Sequence, residues 1–221
     1  MKDINSSKKE EFIEALNNWY RFNKRSYKWR DTKIPYNIGV AEILLQKTNA
    51  DKVVPVYDSI VQRYPTELAL SSAAETEVLI YLRDIGLYNR ASTLIVLSNY
   101  IKDCSLNNLE LSAEGLLRIK GVGLYIANSI LVHSKNIPLP LLDPNIIRIY
   151  NRVYGIKSTL KRPRTDKKLW DVSLYLLPQY DYSNYYFALL DFGALICKPK
   201  PLCSICCMSN NICPHRSSAA D

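Results

Sequence analysis

A crowd of thiols is the strongest chemical signal in the chain. Five of its six cysteines, Cys197, Cys203, Cys206, Cys207 and Cys213, lie within residues 197–213. Thiolates that close together hold a soft metal, and four of them suit zinc or an iron–sulfur cluster alike. A disulfide framework is the weaker reading. No apolar leader follows the N-terminus, so the chain is expected to work inside the cell, where thiols stay reduced. His215 lies just beyond Cys213 but is not needed as a ligand. Cys104 stands apart, and burial alone explains a lone thiol.

Two other places carry chemistry. Gly121-Val122-Gly123 separates two stretches that read as short helices. Backbone N–H groups at the start of the second can face a phosphate without reading sequence. A plain helix-to-helix connection would use the same glycines. Asp143-Pro144 is the other place. Asp is a favoured N-cap and Pro a favoured first helical residue. Backbone donors and the helix dipole are expected to keep such a carboxylate ionised. On composition alone Glu42 is a surface helix glutamate, and Gln46 and Lys47 are an exposed polar turn.

Helices have to position these groups. Glycine is scarce and β-branched runs are short, which disfavours a sheet. Residues 10–23 put Phe12, Ala15, Leu16 and Trp19 on one stripe. Residues 28–36 read as a connection, after which Asn37 or a neighbour is expected to cap a helix carrying Val40, Ile43, Leu44 and Leu45. Further helices are expected from about 51 to before Pro65, over 73–84 with Gly86 as the stop, and over 88–102, 112–120 and 124–134. Others run from Asp143-Pro144 towards Tyr154 and over 166–177 and 184–196, with a frayed tail at 217–221. The expectation is an all-α chain of about ten helices.

Composition narrows the partner. The 221 residues carry a formal net charge of +8, which favours an anionic partner such as nucleic acid. Positive charge concentrates at Arg21, Lys24, Arg25, Lys28, Arg30 and Lys33, and again at Lys157, Lys161, Arg162, Arg164, Lys167 and Lys168. A solvated face explains either cluster equally well. No apolar run is long enough to cross a bilayer, so no membrane partner is expected.

The motifs together resemble one family, the helix-hairpin-helix DNA glycosylases of the endonuclease III and MutY-like type. The cysteine loop is similar to that family's [4Fe–4S] loop, spaced C-x6-C-x2-C-x5-C. Here Cys197 to Cys203 is one residue short and Cys206 to Cys213 one residue long. Pairing Cys207 with Cys213 would restore the last spacing and spoil the middle one. The resemblance therefore implies Cys197, Cys203, Cys206 and Cys213 as cluster ligands, with Cys207 spare. Residues 116–127 resemble the family's L-P-G-V-G hairpin, with Ile119-Lys120 in place of Leu-Pro. That implies phosphate contact through Lys120, Gly121, Val122 and Gly123, and a monovalent cation at the hairpin carbonyls.

By the same resemblance, Asp143 is the catalytic carboxylate, stabilising positive charge at the sugar as the base departs. Residues 41–48 are similar to the family's E-x-x-L-Q-Q-T stretch. Glu42 then protonates the base or activates water, with a pKa expected to be raised in a partly apolar pocket. Gln46 and Lys47 enter the duplex where the base has left. Arg148 and Asn145 hold the Asp143 helix or a phosphate. Tyr125 stands where strand-nicking relatives carry a lysine, so no Schiff base is expected. A tyrosine there resembles the Mig-type thymine–DNA mismatch glycosylases.

The implied fold is all-α in two helical lobes with a DNA cleft between them. A six-helix barrel lobe spans 30–136, with the hairpin at about 112–134. The second lobe joins 1–29 to 137–221 and carries the iron–sulfur loop at 197–213. The implied activity is monofunctional removal of thymine or uracil opposite guanine from mismatched double-stranded DNA, by a monomer in the cytoplasm or on the nucleoid. An adenine glycosylase acting on A·G or A·8-oxoguanine is the alternative. It is weakened because no further domain follows the cysteine loop. A non-catalytic DNA-binding module is the rival from another class.

Overall fold

The computed structural model describes residues 5–86 and 88–217, apart from the side chains of 84 and 217, and every regular element among them is a helix. All but the first residue of the expected frayed tail lies outside the described residues. In chain order the α-helices are α1 (Ser6–Asn23), α2 (Pro35–Leu44), α3 (Ala50–Arg63), α4 (Glu67–Ser71), α5 (Glu75–Leu82) and α6 (Arg90–Leu106). They continue with α7 (Ala113–Leu117), α8 (Leu124–Lys135), α9 (Pro144–Tyr154), α10 (Lys167–Tyr175), α11 (Tyr182–Leu195) and α12 (Pro214–Ser217). Residues 26–137 form one compact unit, and residues 1–25 with 138–221 form another. None of the helices searched is long and apolar enough to cross a membrane.

In the unit of residues 26–137, α2 is the central helix. Its run of Ile38, Gly39, Val40, Ala41, Ile43 and Leu44 is buried on all sides, and it packs against α3, α6 and α8. A helix apolar all round has to be an interior one. Gly39 permits the close approach to α6, since a methyl there would lie 2.6 Å from Leu97 Cδ2. In turn, α6 packs against α4, α5 and α7.

Three sequence expectations change in this unit. Helix α2 begins at Pro35 with Ile34 in the cap position, so Asn37 is a helical residue and not the cap. Proline fixes the backbone angle that a first helical residue needs, and the Tyr36 hydroxyl donates to Tyr64 O at 2.6 Å, anchoring that first turn. Helix α4 was not expected. Thr66 caps it, accepting from Ala69 N at 3.2 Å, and only Leu70 is buried, too little to show a helical period. Helix α7 starts at its expected cap, Ser112, but stops at Leu117, leaving residues 118–120 in a turn.

In the other unit, α11 packs against α1 and α9, and α9 against α12. Helix α9 turns Ile146, Ile149, Tyr150 and Val153 to one side, all fully buried. Gly193 on α11 brings that helix close to α9, because a methyl there would lie 2.7 Å from Asn145 Cβ. Asp191, wholly buried in α11, accepts from Arg25 N at 2.8 Å and Arg25 Nε at 2.6 Å. This ties the end of α1 to the middle of α11.

Candidate functional site

Asp143 caps α9 as expected. One carboxylate oxygen accepts from Ile146 N at 2.7 Å, and the other from Asn145 Nδ2 at 2.7 Å. Those donors, with Arg148 nearby, favour the anion. Burial is nevertheless the larger influence and pushes the Asp143 carboxyl above its ordinary value of 3.8. Losing water outweighs the bonds that replace it.

A chain of hydrogen bonds runs on from the carboxylate. Asn145 Oδ1 accepts from a terminal nitrogen of Arg148 at 2.7 Å. Arg148 also donates to Gly193 O at 2.9 Å and, through Nε, to Cys197 O at 2.8 Å. Each of these donors is directed at an acceptor inside the unit. One turn on, Arg152 donates to Lys198 O at 2.6 Å, Pro199 O at 2.8 Å and Cys197 Sγ at 3.2 Å. Arg216 donates to the carbonyls of Cys206 and Met208 from the far side of the loop. The cysteine loop is therefore held by arginines at both ends.

Cys197, Cys203, Cys206 and Cys213 line one cavity, together with Arg152, Phe192, Ile196, Met208 and Arg216. Cys207 is exposed and does not line it. A hydrogen bond from the Cys207 thiol holds Cys206 down to about 6, while burial pushes Cys197 and Cys213 up. Among the described residues, no three Cys, His, Asp or Glu side chains stand close enough to hold a metal ion in this arrangement.

In the unit of residues 26–137, Glu42 is half-buried near the end of α2, and the Ser129 hydroxyl of α8 donates to its Oε1 at 2.6 Å. Beyond α2 the chain turns sharply, with Lys47 in the left-handed region at φ 57 and its side chain exposed. Gln46 Nε2 donates to Gly121 O at 2.8 Å, which ties this turn to the hairpin.

The hairpin places Lys120, Gly121 and Gly123 at the surface and buries Val122. Gly121 has φ +94, and a methyl there would lie 2.7 Å from Thr93 Oγ1, so only glycine fits. Gly123 takes the cap position of α8 without a side-chain cap, leaving its first backbone N–H groups for another acceptor. Tyr125 follows, half-buried in the first turn of α8.

Ser129, Arg152, Asp191 and Arg216 have no counterpart in the sequence analysis. None belongs to a motif.

Comparison with known proteins places this geometry in context. The profile described as HhH-GPD superfamily base excision DNA repair protein matches residues 40–173. A thymine-DNA glycosylase of Aeropyrum pernix is 40% identical over 210 residues, covering 91% of this chain and 94% of that one. A thymine/uracil-DNA glycosylase of Pyrobaculum aerophilum is 35% identical, covering 91% and 90%. Among solved structures, a thermostable thymine-DNA glycosylase superposes with a TM-score of 0.86 at 27% identity, covering 98% of this chain and 100% of its own.

Proposed function

The chain belongs to the HhH-GPD superfamily of base excision DNA repair proteins, and we propose that it is a DNA glycosylase removing thymine or uracil mispaired with guanine from double-stranded DNA. The observation that carries this reading is the Asp143 carboxylate, fixed by Ile146 N and Asn145 Nδ2 at 2.7 Å each. Breaking an N-glycosidic bond builds positive charge on the sugar. An anion already held in place stabilises that charge without reorganising at the moment of reaction. The choice of base is supported by relatives named for thymine and uracil.

The groups of the unit of residues 26–137 take further roles on this reading. Glu42, oriented by Ser129, protonates the departing base or positions water. Tyr125 lines the base pocket. It has no amine to form a Schiff base, so water is the final nucleophile and the strand is left intact. Gln46 and Lys47 fill the space of the flipped base, whose extrusion costs least when it is mispaired. Backbone N–H groups around Gly123, with Lys120, hold a phosphate. The carbonyls of Lys120 and Gly121 each take one side-chain donor, and their second lone pairs suit a monovalent cation.

The four thiols lining one cavity, Cys197, Cys203, Cys206 and Cys213, are the donor set of a [4Fe–4S] cluster, and binding it would bring together thiols that do not stand close enough for a single metal ion. When bound, the cluster would supply a rigid cross-link for the loop. Arg148 then holds that loop to α9, and the phosphate role first allowed for it falls to the hairpin. The protein acts as a monomer inside the cell, in the cytoplasm or on the nucleoid.

The test is single-turnover base release from duplexes containing T·G, U·G, A·G, A·8-oxoguanine and T·A, each read with and without alkali. Alkali-dependent cleavage at T·G and U·G, with T·A intact, is the expected result. Cleavage mainly at the adenine mispairs would replace the thymine reading, and no release anywhere would leave a DNA-binding module. Strand breaks without alkali would refute the monofunctional assignment, and Tyr125→Lys should move the protein in that direction. Purified protein carrying zinc instead of iron and sulfide would overturn the cluster assignment.

A further inference from the structure

Arg90 is the first residue of α6 and only 3% exposed. The location is doubly unfavourable. A cation at a helix N-terminus opposes the helix dipole, and a buried charge needs compensation. Among the described residues no carboxylate supplies it, and burial accounts for the lowering of the Arg90 pKa. The compensation comes from the C-terminal end of α2, where the last carbonyls lack helical donors and carry partial negative charge. One terminal nitrogen donates to Leu44 O at 2.8 Å, and the other to Gln46 O and to Thr48 Oγ1 at 3.0 Å. Nε is buried without a partner.

These acceptors lie on both sides of Lys47, the residue in the left-handed region. Such a conformation is strained in a residue other than glycine and persists only where its surroundings impose it. A guanidinium can impose it, because its planar fork serves several acceptors in fixed directions. The same turn of α6 also reaches the hairpin: Thr93 Oγ1 lies 3.1 Å from Lys120 O. Gln46 closes the arrangement by donating to Gly121 O at 2.8 Å. One helix turn thus sets the register of both loops proposed above to engage DNA.

We infer that Arg90 is the positioning residue for the duplex-entering loop. It holds Gln46 and Lys47 in the shape that replaces an extruded base, and it touches neither DNA nor the reacting atoms. The inference rests on the proposed glycosylase reading and adds to it the element that sets loop geometry. It separates two steps. Binding to matched duplex depends on hairpin and surface charge, and Arg90 does not change it. Base extrusion at a mismatch depends on loop shape, and Arg90 governs it.

The experiment compares wild type with Arg90→Met, Arg90→Lys and Thr48→Val. It reads affinity for matched duplex, single-turnover release from T·G at saturating enzyme, and fluorescence of 2-aminopurine placed beside the mismatch. For Arg90→Met the expected outcome is matched-duplex affinity within about twofold, release slowed at least tenfold, and loss of the fluorescence rise. Arg90→Lys should recover part of the rate, because an ammonium serves fewer of the acceptors. Thr48→Val, which keeps the buried arginine and removes one acceptor, should slow release a few-fold and gives a reading even if Arg90→Met fails to fold.

Equal rates and equal fluorescence in the variants would overturn the inference. So would a loss of matched-duplex affinity as large as the loss of rate, since that marks general damage. If wild type itself releases no base, the glycosylase reading fails, and the fluorescence arm decides for Arg90. The inference then stands only if wild type gives a rise that the variants lose.

Discussion

The start of α9 and the hairpin before α8 are both helix N-termini facing an expected DNA ligand, yet they are built in opposite ways. At α9 the cap is a carboxylate, and a chain of polar side chains holds it: Asp143 to Asn145, Asn145 to Arg148, Arg148 to Gly193 O and Cys197 O. At α8 the cap is Gly123, with no side-chain bond at all. Its neighbours are fixed by steric fit, Gly121 against Thr93, and by carbonyls that take side-chain donors. On the proposed function, the difference follows from the ligand each would meet. A developing cation calls for a fixed anion. A phosphate calls for free N–H groups that a capping side chain would have consumed.

The sharpest way to break this comparison is Asp143→Asn. Asparagine caps a helix about as well as aspartate, so the fold should survive while base release falls about 100- to 1000-fold. Single-turnover kinetics alongside a melting curve check both halves. A large loss of stability would mean that the carboxylate is there for the helix and not for the chemistry.

Arg148→Met should come next. It leaves Gly193 O without that donor and Cys197 O with only the longer bond from Arg152 at 3.3 Å, and a loss of about 2–3 kcal/mol in unfolding free energy is expected, because bonds from charged donors are the strong ones. Base release should fall as well at temperatures where the variant is folded, since Asn145 loses the partner that orients it. An unchanged denaturation midpoint would show that the network is redundant.

Gly121→Ala tests the other construction. Strain at φ +94 and the 2.7 Å approach to Thr93 Oγ1 should cost about 1–3 kcal/mol. Affinity for matched duplex should weaken with it, which distinguishes the hairpin from the α9 site. Retained affinity with lost catalysis would invert the assignment.

The smallest effect expected is on pH dependence. Burial raises the Asp143 pKa above its ordinary 3.8. The folded state then holds a proton that the unfolded chain releases, in the window between 3.8 and the raised value. Asp143 therefore favours the fold below that window, and this contribution is lost as pH rises through it. Asp143→Asn should be at least as stable as wild type at neutral pH, with a flatter stability profile on the acid side. Base release should fail on acidification at a higher pH than an unperturbed aspartate would give.

Much of this was legible in the chain. The start of α9 was, because Asp-Pro is a local signal for a cap and a first helical residue. Gly121 and Gly123 marked the hairpin for the same reason, and Gly86, at φ 68, ends the 3-10 turn of residues 83–85 that follows α5. Helix α4 was not legible, since five residues with one buried leucine carry no period. The start of α2 was not legible, because Asn37 or a neighbour offers a cap by type, whereas Pro35 and the Tyr36 to Tyr64 bond set the boundary.

The sequence by itself determined an all-helical chain, the capped carboxylate, the glycine hairpin and the run of thiols, because each depends on neighbours a few residues away. Only the tertiary structure decided that burial outweighs capping at Asp143, that Ser129 orients Glu42, and that Arg90 and Arg152 are clamps and not surface charges. Those properties are set by what a side chain loses in water and gains from partners far along the chain. Asp143 and Gly193 lie fifty residues apart, and their meeting through Arg148 has no local signature.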